Sequence, residues 1–253
     1  MARLDCRNLQ IAWFHSGAQK YAAHVVYQEI FGEEPDTVQT NKAPSQTSPF
    51  LSQALGQTSA GDGIVKVTPG RVDVFLQAPE INHGSKIAFP TLDAIESFEV
   101  FKVALENKGV AFDDCYRQAV ICNFLTEFPN RAEANRSLFD TCRIDGNAPD
   151  AIDLIHQFNS RKELREGFLL NRLIRHSVEH MQLFQVPTPQ GVDQASLKID
   201  LDQHFPAHEV FAHFQTYDFN NHPQGEKFSK AQQTVNVMEI FAEILKVKKG
   251  VML

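Results

Sequence analysis

Residues 63–77 read Gly63-Ile-Val-Lys-Val-Thr68-Pro69-Gly70-Arg71-Val-Asp-Val-Phe-Leu-Gln77. Pro69 and Gly70 stand at the two central positions of a type II turn. Proline presets φ for the first position, and glycine accepts the positive φ of the second. Beyond the turn, Val72, Val74 and Leu76 alternate with Arg71, Asp73, Phe75 and Gln77. The spacing predicts a β-hairpin, 63–68 with 71–77, that buries one face.

Working outward from this hairpin, helices and strands alternate. Toward the N-terminus, residues 9–14 read as a strand. Ser16 is placed to cap a helix carrying Ala18, Ala22, Val25, Val26 and Ile30, with Gly32 as its stop. From about Thr37 to Gly63 the periodicity vanishes. This stretch is rich in Ser, Thr, Gln, Pro and Gly, and reads as a mobile polar loop over about 38–62.

Toward the C-terminus, Thr91 is placed to cap a helix with Leu92, Ile95, Phe98, Phe101 and Leu105, ended by Gly109. Residues 111–128 form a long strand, apolar on both faces from Ala119 to Leu125, so it belongs inside a covered sheet. Asn130-Arg-Ala-Glu133 has the pattern of a capping box. A further helix is expected from Asn147, with Ala151, Ile155 and Phe158 on one stripe. Residues 167–186 and 194–202 read as a second hairpin around Pro187, Pro189 and Gly191.

Ser229-Lys-Ala-Gln232 is a capping box for a last helix, about 229–249. Ala231, Val235, Met238, Phe241, Ala242 and Leu245 form its expected docking stripe. Val237, Ile240, Ile244 and Val247 make a second apolar row, expected to face a neighbouring helix or another subunit. Two hairpins, single strands and interspersed helices predict an α+β fold. The sheet is antiparallel or mixed, in a single domain spanning 1–253. No internal repeat or heptad array is visible.

Composition narrows the function classes. The chain has 253 residues, 43% apolar and 22% charged, so it is neither a disordered tail nor a miniprotein that needs disulfides. Its net charge is 24 − 31 = −7, which disfavours a nucleic-acid-coating protein. Phe is abundant, 20 against 4 Tyr and 1 Trp, giving apolar area for a core or a subunit interface. No run of 18 apolar residues suggests a membrane span, and the N-terminus does not resemble a secretory signal. Cys6, Cys115, Cys122 and Cys142 include no C-x-x-C pair. The expectation is a cytoplasmic protein with no cofactor.

Several chemical patterns remain. His176-Ser-Val-Glu179-His180 matches the H-x-x-E-H zincin pattern, which needs a helix to bring the histidines about 6 Å apart along its axis. On a strand they stand about 13 Å apart. The 194–202 hairpin reading therefore works against a zinc site. Asp200, Asp202 and His204, with Lys198, alternate on one strand face. They are the candidate ligands for a divalent cation in a hydrolase or nuclease. Arg172, Arg175 and His176 would serve an RNA- or DNA-binding module if they converge. His204 and His208 are four apart, but Pro206 disfavours a helix between them. There is no P-loop, dinucleotide fingerprint or nucleophile elbow. The leading expectation is a non-catalytic protein that binds another protein or itself, with the metal-dependent hydrolase and the nucleic-acid module as alternatives.

Overall fold

The computed structural model describes residues 3–16, 21–45, 49–79, 89–146, 148–183, 208–222 and 226–250. Along the chain come β1 (Asp5–His15), α1 (Ala23–Phe31), β2 (Thr37–Thr40), β3 (Ser52–Thr58), β4 (Gly61–Thr68), β5 (Arg71–Gln77) and β6 (Leu92–Asp93). Then follow α2 (Ala94–Asn107), β7 (Cys115–Phe128), α3 (Arg131–Cys142), β8 (Ile155–Arg165), β9 (Phe168–Leu183), β10 (His208–Asn221) and α4 (Lys230–Lys248). The strands form one antiparallel sheet in the order β2-β3-β4-β5-β1-β7-β10-β9-β8, with β6 beside the start of β1. The fold is α+β.

A strand–helix–meander–helix unit occurs twice: β1, α1, β2–β5, α2, and then β7, α3, β8–β10, α4. The first strands of the two units, β1 and β7, pair antiparallel at the centre of the sheet. Each meander returns its last strand, β5 or β10, to flank its own first strand. The duplication lies in topology and not in side chains, which is why no repeat is legible in the sequence.

Local chemistry sets the element ends. The hairpin at Pro69-Gly70 forms as expected, with Thr68 opposite Arg71 and Gly70 at φ 75°. Gly32 ends α1 at φ 79°. The expected start at Ser16 is corrected: α1 begins after Ala22, and its first N–H, on Ala23, donates to Ser52 Oγ of β3 at 3.0 Å. A residue remote in sequence therefore satisfies this end. Asp93, not Thr91, caps α2. Its carboxylate accepts from the N–H of Ile95 at 2.8 Å, while the Thr91 hydroxyl donates to Asp5. Asn130 caps α3, and Ser229 with Gln232 closes a complete capping box on α4.

The 37–63 stretch is not structureless, since it carries β2, β3 and the start of β4. Its covered positions are small, and this hides the strand. Gly56 of β3 lies opposite Gly63 of β4. A Cβ on Gly63 would fall 2.9 Å from Phe31 Cε2, and one on Gly56 would fall 2.7 Å from Tyr27 Oη. The glycine pair thus clears the place where α1 lies down, and no apolar alternation is left to read.

The expected helix from Asn147 is also corrected, because residues 155–165 are strand β8. Ile155 and Phe158 fall on opposite faces, and β9 supplies the backbone partners. Residues 194–202 lie outside the described residues. The described neighbours of β9 are β10 and β8.

All four helices pack on the same sheet face: α1 on β3 and β4, α2 on β1, α3 on β9 and β10, and α4 on β7 and β10. The core lies between them and the sheet. Phe98 of α2 stacks on Phe241 of α4, with ring centres 3.7 Å apart. The rows of α4 divide differently from the sequence reading, although Phe241 of the expected docking stripe is buried as expected. Val237, Ile240, Ile244 and Val247 are buried in the chain's own core, whereas Val235 of the expected docking stripe is 46% exposed. The row assigned to a subunit interface is therefore intramolecular. Buried polar partners decide which side turns inward. Gln233 donates to Phe112 O, Asn236 donates to Gln118 Oε1, and Glu243 accepts from Arg172. These groups lie on the side of Val237 and Ile240.

Candidate recognition face and histidine cavity

Strand alternation sends every second side chain to the face opposite the helices. Among the described residues no helix packs on that face. Near one end, Phe89 packs there with Leu125, Val210 and Ala212. Elsewhere the face mixes apolar side chains, among them Phe14, Ile64, Phe75, Ile121 and Leu173, with a set of amides. Asn8, Gln10, Asn123, Asn171 and Asn220 all belong to it by register.

These groups are tied to one another across the strands. At the centre Asn123 donates to Asn8 Oδ1 at 2.6 Å and accepts from the Thr216 hydroxyl at 2.6 Å. Gln10 donates to Asp73 at 2.7 Å, and Arg71 pairs with the same carboxylate at 2.6 Å. The guanidiniums of Arg71 and Arg117 both lie 4.8 Å from the ring centre of Phe14. Arg117 then donates to Asn220, Asn171 donates to Asn220, and Arg161 donates to Asn171. The result is a pre-set lattice of donors and acceptors running from β5 to β8. Its charges are mixed: Lys66, Arg71, Arg117, Arg161 and Arg175 against Asp62, Asp73, Glu127, Glu179 and Asp218.

The residues singled out in the sequence fare differently. Asp200, Asp202 and His204, with Lys198, lie outside the described residues. His176 and His180 sit on β9, in extended backbone, so they do not share an ion in the zincin manner. His180 instead meets Glu209 at 2.5 Å, and Glu179 points to the opposite sheet face. Among the described residues no group of three His, Cys, Asp or Glu side chains is placed to hold a metal. Arg172 and Arg175 do not converge. Arg172 is buried under α4 against Glu243 at 3.1 Å, while Arg175 is exposed on the other face.

On the helix-covered face the strands bring together groups that no motif connects. His213 of β10 is fully buried between Ser137 of α3, whose Oγ is 3.0 Å from Nδ1, and His176 of β9, whose Nδ1 is 3.1 Å from Nε2. Desolvation, with a smaller contribution from nearby His156 and Lys248, lowers the His176 pKa to about 4. Desolvation, then His176 and Lys248, lowers that of His213 to about 3. Both rings are neutral at pH 7. His176 also lines a cavity of about 320 Å³ with Cys142, Arg143, Phe158, Tyr217 and Lys248. Burial lifts the Cys142 thiol to about 11, so it is no ready nucleophile. Burial lowers the Lys248 ammonium to about 8. Neither the amide face nor this cluster carries a local sequence signature. The one available hint to the face was the alternation of Asn8 and Gln10 with Leu9 and Ile11.

No known family model, curated protein or solved structure matches this chain. Among the described residues no helix is long and apolar enough to cross a membrane.

Proposed function

We propose that this chain works by recognition rather than catalysis, and that the sheet face opposite its four described helices packs on a second copy of itself. The observation that carries the reading is the amide lattice on that face. Each amide offers both a donor and an acceptor, and charges of both signs lie side by side. A two-fold interface sets one patch against its own copy and requires such self-complementarity. A phosphate backbone would instead call for an excess of cations.

The size of the face suits this role. Nine strands leave eight gaps of about 4.8 Å, and seven residues of strand rise about 23 Å, giving roughly 900 Å². A standard stable interface takes about 800 Å² from each partner. The side-chain lattice is already in place, so less conformational freedom is lost on docking.

Sedimentation velocity of the full chain tests this. The expected result is a species of 2 × 28.5 kDa at micromolar concentration. Ile121 sits at the centre of the face, opposite Gln10 and Asp218. Ile121→Arg should yield a folded monomer. An unaltered chain that stays monomeric at about 100 μM, well above the micromolar range of specific interfaces, refutes the proposal.

A further inference from the structure

The helices α3 and α4, one from each topological unit, end beside each other on the covered face. Their last residues close the 320 Å³ cavity over β8, β9 and β10. Phe158, Ile174 and Val247 give it an apolar flank, while Arg143 and Lys248 bring two cations. No Asp or Glu stands among the described residues of its wall.

The state of those cations sets them apart. Three basic side chains near α4 on this face are paired: Lys162 and Arg172 with Glu243, and Arg165 with Glu239. Lys248 and Arg143 have no carboxylate partner among the described residues. Lys248 Nζ donates to the neutral Gln215 Oε1 at 2.8 Å and stands 4.9 Å from the Phe124 ring centre. An ammonium withdrawn from water with neutral partners alone is under-compensated, and an anion corrects this.

We infer that the cavity binds a small organic monocarboxylate, its apolar body against Phe158, Ile174 and Val247 and its carboxylate on Lys248 and Arg143. Helix C-termini disfavour anions. Here several of the terminal carbonyls are already engaged, by the backbone N–H groups of Arg143, Ile144, Lys249 and Gly250. In one of its two tautomeric polarities the histidine chain supplies a third donor. With Ser137 donating to His213 Nδ1 and His213 Nε2 donating to His176 Nδ1, the His176 proton resides on Nε2. That nitrogen has no partner among the described residues, and an anion favours this polarity of the chain. A bare phosphate ion lacks the body that the apolar flank would cover.

Calorimetry on the full chain at pH 7, with 3-phenylpropionate and its neutral amide as probes, decides the matter. The acid should bind about tenfold more tightly than the amide, and inorganic phosphate more weakly than the acid. Lys248→Met should abolish the acid's advantage, and Arg143→Gln should reduce it. Acid and amide binding alike, or neither binding at about 5 mM, overturns the inference. So does an advantage unchanged in Lys248→Met. If Lys248→Met does not fold, the acid-to-amide ratio of the unaltered chain and the exposed Arg143→Gln variant still decide it. The cavity lies on the sheet face opposite the proposed dimer surface, so the two tests fail independently.

Discussion

Lowering the pH from 8 to 5 perturbs the buried histidine pair selectively. In the folded chain His176 and His213 titrate at about 4 and about 3, against 6.5 for an ordinary histidine, because burial penalises their charged forms. Their pKa values are depressed, so the unfolded chain binds protons first as pH falls. The associated stability is complete above pH 6.5 and is lost as pH drops from there toward 4 for His176 and toward 3 for His213. At pH 5 each unfolded histidine is favoured by about 1.36 × 1.5, or about 2 kcal/mol, so the pair costs about 4 kcal/mol. Urea unfolding followed through the single tryptophan, the fully buried Trp13, measures the loss directly. Other groups titrate in the same range, so the comparison is with the double variant His176→Gln, His213→Gln. The stability difference between pH 8 and pH 5 should be larger by about 4 kcal/mol in the unaltered chain. An excess below about 1 kcal/mol, or His176 and His213 imidazole signals that titrate near 6.5 by NMR, would refute the reasoning.

Other predictions follow from the packing. Phe241→Ala, which removes a ring that is 4% exposed and stacked on Phe98, should cost about 3–5 kcal/mol by denaturant titration. Ile240→Glu should fail to fold rather than give a folded monomer, because Ile240 is fully buried within its own chain. Glu243→Gln strands the buried Arg172 guanidinium and should cost about 3–5 kcal/mol in the same assay. Lys162→Met, at the solvent-facing end of that network, should cost under about 1 kcal/mol. Gly63→Val forces a side chain against Phe31 and should cost about 1–3 kcal/mol, read as a shift in the denaturation midpoint.

Short-range chemistry was legible without the structure. The Pro69-Gly70 turn, the Gly32 stop, the Asn130 cap and the Ser229 capping box each depend on groups within a few residues of one another, so the sequence alone decides them. The α+β class followed from the same local signals. Wherever the deciding group was remote, the sequence did not suffice. Ser52 satisfies the start of α1, the Gly56–Gly63 pair admits Tyr27 and Phe31, and Gln118 and Arg172 turn one row of α4 inward. The candidate sites are tertiary in the same sense. The amide face draws single residues from many strands, and the Ser137–His213–His176 chain joins positions separated by 76 and 37 residues. Hydrogen-bond geometry and desolvation arise only when the sheet brings such positions to a few ångströms, and that is a property of the pairing of strands and not of any one segment.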